Sequence, residues 1–268
     1  MLIRQVSSAA KGPVILVVLS AGGVNLEPIE KDVDAVIWAG YPGEEGGQAI
    51  ADVVFGKYNP GGRLPVTWYK SNYVWQLPMT SMRLRPVDEL GYPGRTYKFF
   101  NGSTLYPFGY GLGYTNFSYK VVSTQNSVEK KLAFNQYCLS IHYKQSANVP
   151  PCSAALVENL DCNEDITVEI EVINMGSIDG SDVVMLYSRL PEGIVGAHIM
   201  QLIGFQRTFV QAGKSETVTF KLSSCKSVSM VTDSAYMVLP AGQHTMIVGS
   251  GPNAVAFPFL VKLAKFRK

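Results

Sequence analysis

Residues 39–68, AGYPGEEGGQAIADVVFGKYNPGGRLPVTW, set out the order of events that decides the first half of the fold. An apolar run ends at Gly40, a Pro-Gly turn follows, two acidic residues open a helix, and Gly56 closes it. Ala49, Ile50, Val53 and Val54 put an apolar stripe on that helix, predicted over 45–55, and Gly56 suits a left-handed C-terminal cap. Asn59-Pro60-Gly61-Gly62 is a turn. Strand, turn and helix in this order make half of an α/β unit, and ligands of open α/β sheets sit beyond the carboxyl ends of the strands. Tyr41, Glu44 and Glu45 therefore occupy a crevice position. On spacing alone, the two carboxylates need only complement the positive end of the helix they open.

Working outward, Leu2, Ile3, Val6 and Ala10 recur at helical spacing, and after Pro13 the run VILVVL reads as a strand over 14–19, buried on both faces of a parallel sheet. The segment imitates a secretory leader, but this periodicity marks structure, and the apolar run is too short to span a membrane. A second strand is predicted at 35–38, and Leu64, Val66 and Trp68 alternate like one further short strand. So small a parallel sheet, apolar on both faces, leaves edges unpaired and Val/Ile surface uncovered. The expectation is that upstream polypeptide supplies the other strands and the covering helices.

Residues 70–115 are rich in Tyr, Pro, Gly and Arg with little periodicity and read as an ordered linker. Aromatic faces stack on sugar C–H surfaces and guanidinium groups bind hydroxyls, so Arg83, Arg85 and Arg95 with nearby aromatics suit a sugar subsite. The plainer role for Tyr92, Tyr97, Phe99 and Phe100 is to fix the segment by packing. Tyr92 and Arg95 are the pocket-rim candidates.

From residue 116 the period changes to two. Phe117, Tyr119 and Val121, then Leu139 and Ile141, then Ile166, Val168, Ile170 and Val172, then Val218, Phe220 and Leu222 each alternate with polar or smaller neighbours. One buried and one wet face per run is the pattern of an antiparallel sandwich. The predicted domains are thus an α/β part at 1–69, the linker at 70–115 and an all-β domain at 116–268; the stretch 123–163 fits no clear element.

Four cysteines, Cys138, Cys152, Cys162 and Cys225, fall in the second half, without CxxC or zinc-site spacing, so no metal is expected. An even count in one β domain fits an oxidising compartment, with Cys152 and Cys162 the pair easiest to close. The alternative is four free buried thiols. Sequons at Asn101 and Asn116 agree with secretion, Asn101 being the better acceptor because Asn116 adjoins a strand. The net charge of +2 and the short basic tail give nucleic acid no groove. GxSxG, P-loop, HExxH and GxGxxG patterns are absent, and no cofactor is expected. His142 and His244 read as sandwich residues, His198 as an exposed loop residue, Asp32, Asp34 and Asp52 as caps or loop charges, and Met79, Met82 and Met200 as packing residues.

The wording of several segments adds a family. PGEEGGQAIADVVFGKYNPGGRLPVTW resembles the second domain of glycoside hydrolase family 3, whose members typically read PGEEGGxAIADVLFGxxNPSGRLPVTW. GYPGRTYKF at 91–99 and LYPFGYGLGYTNFSY at 105–119 resemble the family's passage into a terminal fibronectin type III-like sandwich, which ITVEIEVINMGSIDGSDVVMLYS and LIGFQRTFVQAGKSETVTFKL resemble in turn. SAGGVNL, WYK and GYPGRTYKF are most similar to plant β-D-xylosidases and α-L-arabinofuranosidases. The resemblance implies a partial α/β sandwich domain plus a fibronectin type III-like β-sandwich, and an extracellular or cell-wall location with a signal peptide upstream. It implies a xylo-oligosaccharide-class substrate and no cofactor. Family members are retaining enzymes whose Asp nucleophile lies in an N-terminal barrel and whose acid/base Glu lies early in the second domain. Neither position maps onto this chain, and Glu44 and Glu45, adjacent on one backbone, do not face each other across a sugar as a retaining pair must. The expectation is an inactive C-terminal part, and the alternative is a non-catalytic carbohydrate-binding or interaction module.

Overall fold

The computed structural model describes residues 2–265 apart from 77, 79, 134–135 and 145–148, and the chain divides into two compact units, residues 1–112 and 113–268. The reading of Met79 lies outside the described residues. No described helix is long and apolar enough to cross a membrane.

The first unit begins with helix α1 (Leu2–Ala9), strand β1 (Ile15–Leu19), strand β2 (Ala35–Gly40) and helix α2 (Gly46–Val54). Strands β1 and β2 pair in parallel, with Ile15 opposite Ala35. The three aspartates make structural contacts: Asp32 takes the Arg4 guanidinium at 2.8 Å and Asp34 accepts the Val14 amide at 2.7 Å, while Asp52, read as a cap or loop charge, lies within α2 and accepts Gln48 at 2.6 Å. Gly46 is required by space. A β-carbon there would stand 2.5 Å from Cβ of Pro42, so only glycine lets the Pro-Gly turn fold against the start of α2. Gly56 follows that helix at φ 71°, and its amide donates to the Val53 carbonyl. Trp68 is the centre of a small core, 2% exposed, edge-on to Trp38 and Tyr106 and packed with Val18 and Leu26.

The remainder of this unit comprises β3 (Trp68–Tyr69), α3 (Tyr73–Gln76), α4 (Thr96–Phe99) and β4 (Thr104–Tyr106). The strand foreseen around Trp68 forms, but it pairs antiparallel with β4 and does not join β1 and β2. The Leu64 amide and carbonyl also bond Tyr110 and Gly109, both at 2.8 Å, so residues 64–69 and 104–110 run side by side and close the intervening segment into a loop. That pairing draws residues 70–112, most of the stretch 70–115 read as a linker, into the first unit.

The second unit holds β5 (Phe117–Thr124), β6 (Ser127–Leu132), β7 (Ala154–Leu156), β8 (Asp165–Asn174), β9 (Gly180–Arg189), β10 (Gln201–Val210), β11 (Ser215–Ser223), β12 (Met230–Val231), β13 (Met237–Pro240), β14 (Gly242–Val248) and β15 (Val255–Lys265). A five-stranded sheet, β10-β9-β14-β15-β6, and a three-stranded sheet, β11-β8-β5, contribute to one hydrophobic core, with β12-β13-β7 as a smaller third sheet. Ile166, Val168, Ile170 and Val172 alternate inward along β8, none more than 1% exposed, as their period of two predicts. Val218, Phe220 and Leu222 of β11 bury opposite Ile170, Val168 and Ile166. The unassigned stretch 123–163 supplies β6, which pairs in parallel with β15, and β7, which pairs with β13. Leu139 forms only an isolated bridge, to Ala154.

Three expectations change. The disulfides are Cys138–Cys152 and Cys162–Cys225, not Cys152–Cys162. The antiparallel β8–β11 register sets Asp165 opposite Ser223 and carries Cys162 to Cys225 just beyond it, while the Leu139–Ala154 bridge brings Cys138 to Cys152. His198 is buried, at 5% exposure, not exposed, whereas His244 lies fully buried in β14 as a sandwich residue should. Met82 is 87% exposed and packs nothing away from water, because residues 80–85 run as an open loop.

Candidate functional site

The first unit contains an open groove of about 480 Å³ between the end of β3, α3 and the segment 95–97. Its walls are two stacked aromatic pairs. Tyr69 and Tyr73, four residues apart across the turn from β3 into α3, lie face to face, 3.8 Å between centroids and 6° from parallel. Phe100 meets both edge-on, at 4.9 and 5.2 Å. Tyr97 stacks on Phe108 at 4.2 Å. Thr67, Arg95 and Thr96 contribute the polar part of the lining.

The backbone that presents Arg95 is tightly fixed. Gly94 has φ 84°, and a side chain there would strike the Phe99 carbonyl oxygen, 2.5 Å from an ideal β-carbon. The Arg95 amide donates to the Leu84 carbonyl at 2.8 Å, and its Nη2 donates to the Ser81 carbonyl at 2.6 Å. Thr96 has φ 61°, a conformation that β-branched residues avoid. It is held there because its amide donates to the Tyr69 hydroxyl at 2.7 Å and its carbonyl accepts the Phe100 amide. Among the described residues, Arg95 Nε and Thr67 Oγ1 are buried without a hydrogen-bond partner. Burial, and then the neighbouring Tyr69, push the Tyr73 hydroxyl well above the ordinary phenol range, so it stays neutral. Burial, and then Arg85, lower the Lys98 ammonium below its usual value.

The predicted site residues separate. Arg95 lines the groove; Tyr92 does not. Tyr92 is buried, its hydroxyl donating to the Arg83 carbonyl, so it fixes the loop from behind. Glu44 and Glu45 are exposed at the start of α2, beside Tyr41, and neither lines the groove. Glu45 makes no side-chain cap to α2. Asn101 and Asn116 are both exposed. The sequence reading missed Thr67, Tyr69, Tyr73 and Phe108, although the aromatic spacing in TWYKSNY carried a signal. Among the described residues no carboxylate lines the groove, which offers apolar faces bounded by a few hydrogen-bonding groups. A second cavity of about 490 Å³ in the β unit is lined by Glu129, Glu164 and Asp165, but the buried Lys130 already pairs with Glu164 at 3.3 Å. Among the described residues no cluster of three or more His, Cys, Asp or Glu side chains is arranged to hold a metal.

Residues 1–114 match the glycosyl hydrolase family 3 C-terminal domain, and residues 182–251 match the fibronectin type III-like domain. This chain carries the C-terminal domain of glycosyl hydrolase family 3. It is 38% identical over 93% of its length to Arabidopsis thaliana β-D-xylosidase 3, covering 32% of that protein, and 38% identical over 93% to β-xylosidase/α-L-arabinofuranosidase 1 of Medicago sativa subsp. varia, covering 31%. A solved family 3 exo-β-xylosidase, XlnD with a xylobiose aziridine probe, superposes with a TM-score of 0.77 at 26% identity over 97% of this chain and 32% of the other. The Trichoderma reesei β-D-glucoside glucohydrolase gives 0.70 at 29% identity, over 97% and 35%. The family 3 chain therefore spans about a third of the length of the curated relatives it matches.

Proposed function

We propose that this family 3 chain is the C-terminal part of a retaining exo-glycosidase that removes terminal β-xylosyl, and also arabinofuranosyl, residues from xylan and cell-wall oligosaccharides. The observation that carries the reading is the 38% identity, over nearly all of the chain, to proteins named as β-xylosidases and α-L-arabinofuranosidases. Physical support comes from the first unit. Helix α1 buries none of its residues, and Ile15 and Leu19 of β1 remain 40% and 58% exposed. A parallel sheet is a structure normally covered on both faces. On this reading an upstream barrel and upstream α/β strands cover that surface and bring both catalytic carboxylates, while Glu44 and Glu45 edge the crevice at the end of β2 and Arg95 binds sugar in its own groove. The chain alone is inactive, since it would forgo nucleophilic and acid/base catalysis together. Two disulfides and the exposed Asn101 and Asn116 as glycan acceptors fit an extracellular setting.

A groove without carboxylates also favours a second reading, a carbohydrate-binding module that works as it stands. A chimaera in which this chain replaces the matching third of Arabidopsis thaliana β-D-xylosidase 3 separates the two. The enzyme reading expects turnover of an aryl β-xyloside by the chimaera and none by the chain; a chimaera that folds but stays inactive contradicts it.

A further inference from the structure

We propose that Asn101, followed by Gly102, is a self-modifying site: left bare, its side chain cyclises onto the main chain and opens to isoaspartate, and a glycan on the same nitrogen prevents this. The cyclisation rests on the loop alone; the protection by a glycan rests on the extracellular setting proposed above.

Asn101-Gly102 is the only Asn-Gly step in the sequence. In the reaction the Gly102 amide nitrogen loses its proton and attacks Cγ of the Asn101 carboxamide. The new C–N bond closes a five-membered succinimide, and the side-chain nitrogen leaves with that proton as ammonia. Water then opens the ring at either carbonyl, giving aspartate or, with the main chain rerouted through Cβ, isoaspartate. Nothing is oxidised or reduced.

The loop leaves both reacting groups free. Residues 101–103 are exposed between α4 and β4, and among the described residues neither the Asn101 carboxamide nor the Gly102 amide has a hydrogen-bond partner. Rotation of an unbonded side chain therefore carries Cγ toward the nitrogen with no bond to break. Asp179-Gly180, the one Asp-Gly step, is held instead, because the Asp179 carboxylate accepts the Ala212 amide at 2.8 Å. Packing also keeps glycine at position 102. An ideal β-carbon there would stand 2.6 Å from Cζ of Phe100, whose ring is wedged edge-on against Tyr69 and Tyr73, so a side chain that would hinder the attack has no room.

Isoaspartate lengthens the main chain by one methylene. The Asn101 and Phe100 amides are tied back to the Pro93 and Thr96 carbonyls at 3.0 and 2.9 Å, so the slack runs forward into β4, whose Thr104 pairs with Tyr69. The damage falls on the pairing that closes the loop of the first unit. A glycan on Nδ2 makes the leaving group a bulky glycosylamine and crowds the approach of Gly102.

The test ages the 268-residue chain, made in a host without N-glycosylation, at pH 8 and pH 5, and follows residue 101 by peptide mapping and isoaspartyl methyltransferase labelling. Loss of the Asn101 amide to a mixture of isoaspartate and aspartate is expected, faster at pH 8 because the attacking nitrogen must lose its proton. Asn116, which precedes phenylalanine, should keep its amide, and Asn101→Gln should stay unlabelled at that position. An Asn101 that survives in the folded chain and reacts only in urea overturns the proposal; should the first unit prove unfolded in isolation, the same comparison is read in the xylosidase chimaera. In a secretory host that glycosylates, the wild type occupied at Asn101 should resist ageing, while Ser103→Ala, which loses only the sequon, should age like the bare chain. Equal ageing of the two, or no glycan at Asn101, overturns the protection. Neither result touches the enzyme reading, which turnover by the chimaera decides separately.

Discussion

His244 shows how one buried side chain sets a pH limit. It is fully buried in β14, and burial pulls its pKa down to about 4, against a smaller opposing effect from the Pro240 carbonyl 2.9 Å from Nε2. The folded value lies below the unfolded value near 6.5, so the neutral ring is fully accommodated above pH 6.5 and stability is lost as pH falls from there to about 4. The loss attributable to this residue is about 1.4 kcal/mol per pH unit, near 3 kcal/mol in all. Urea melts at pH 7 and pH 4 should show that difference in the wild type and a much smaller one in His244→Gln; equal pH slopes in the two would contradict it. Gly46→Ala tests a steric requirement in the same way. Its new methyl meets Pro42, and an overpacking loss of about 1–3 kcal/mol is expected in the thermal transition of the first unit. At this scale the sequence was informative wherever chemistry was local. Gly56, closing α2 with a positive φ, followed from its neighbours in the chain. His198 and Met82 did not, since burial depends on segments that sequence alone does not bring together.

At the scale of elements, periodicity carried most of the second unit. The alternation in β8 and β11 specifies which face is buried, and Ile170→Ala should cost about 2–5 kcal/mol, measured by denaturant titration, because it empties a fully buried position. What periodicity does not encode is partner choice between distant segments. The parallel pairing of β6 with β15 joins residues more than a hundred positions apart, and β3 finds β4 and leaves β1 and β2 as a pair. The cysteines failed for the same reason, since nearness in sequence favours Cys152–Cys162 while register decides for Cys162–Cys225 across 63 residues. A longer loop constrains the unfolded chain more. Removing Cys162–Cys225 should cost about 4 kcal/mol and removing Cys138–Cys152, closing 14 residues, about 3 kcal/mol, and a reversed order in paired Cys→Ala variants would contradict that assignment. The groove was half legible for the same reason. Arg95 stood out in GYPGRTY, but its aromatic walls come from residues 69–73 and 97–108, which only the β3–β4 pairing brings together.

For the whole molecule, the contrast between the two units is the informative fact. The second encloses a continuous core with two disulfides, whereas the first has a two-stranded parallel sheet, an uncovered α1 and exposed Ile15, Leu19 and Phe55. Separate unfolding transitions are therefore expected, the first unit melting below the second in differential scanning calorimetry; a single coincident transition contradicts this. The same contrast explains why a chain with the family 3 sequence pattern is proposed to bind sugar without cleaving it. The most direct measurement is turnover of an aryl β-xyloside by the purified 268-residue chain, run beside the chimaera with Arabidopsis thaliana β-D-xylosidase 3. The expected result is no release above a matched blank from the chain and clear release from the chimaera; hydrolysis by the chain alone would mean that it holds its own pair of catalytic carboxylates, contrary to the function proposed.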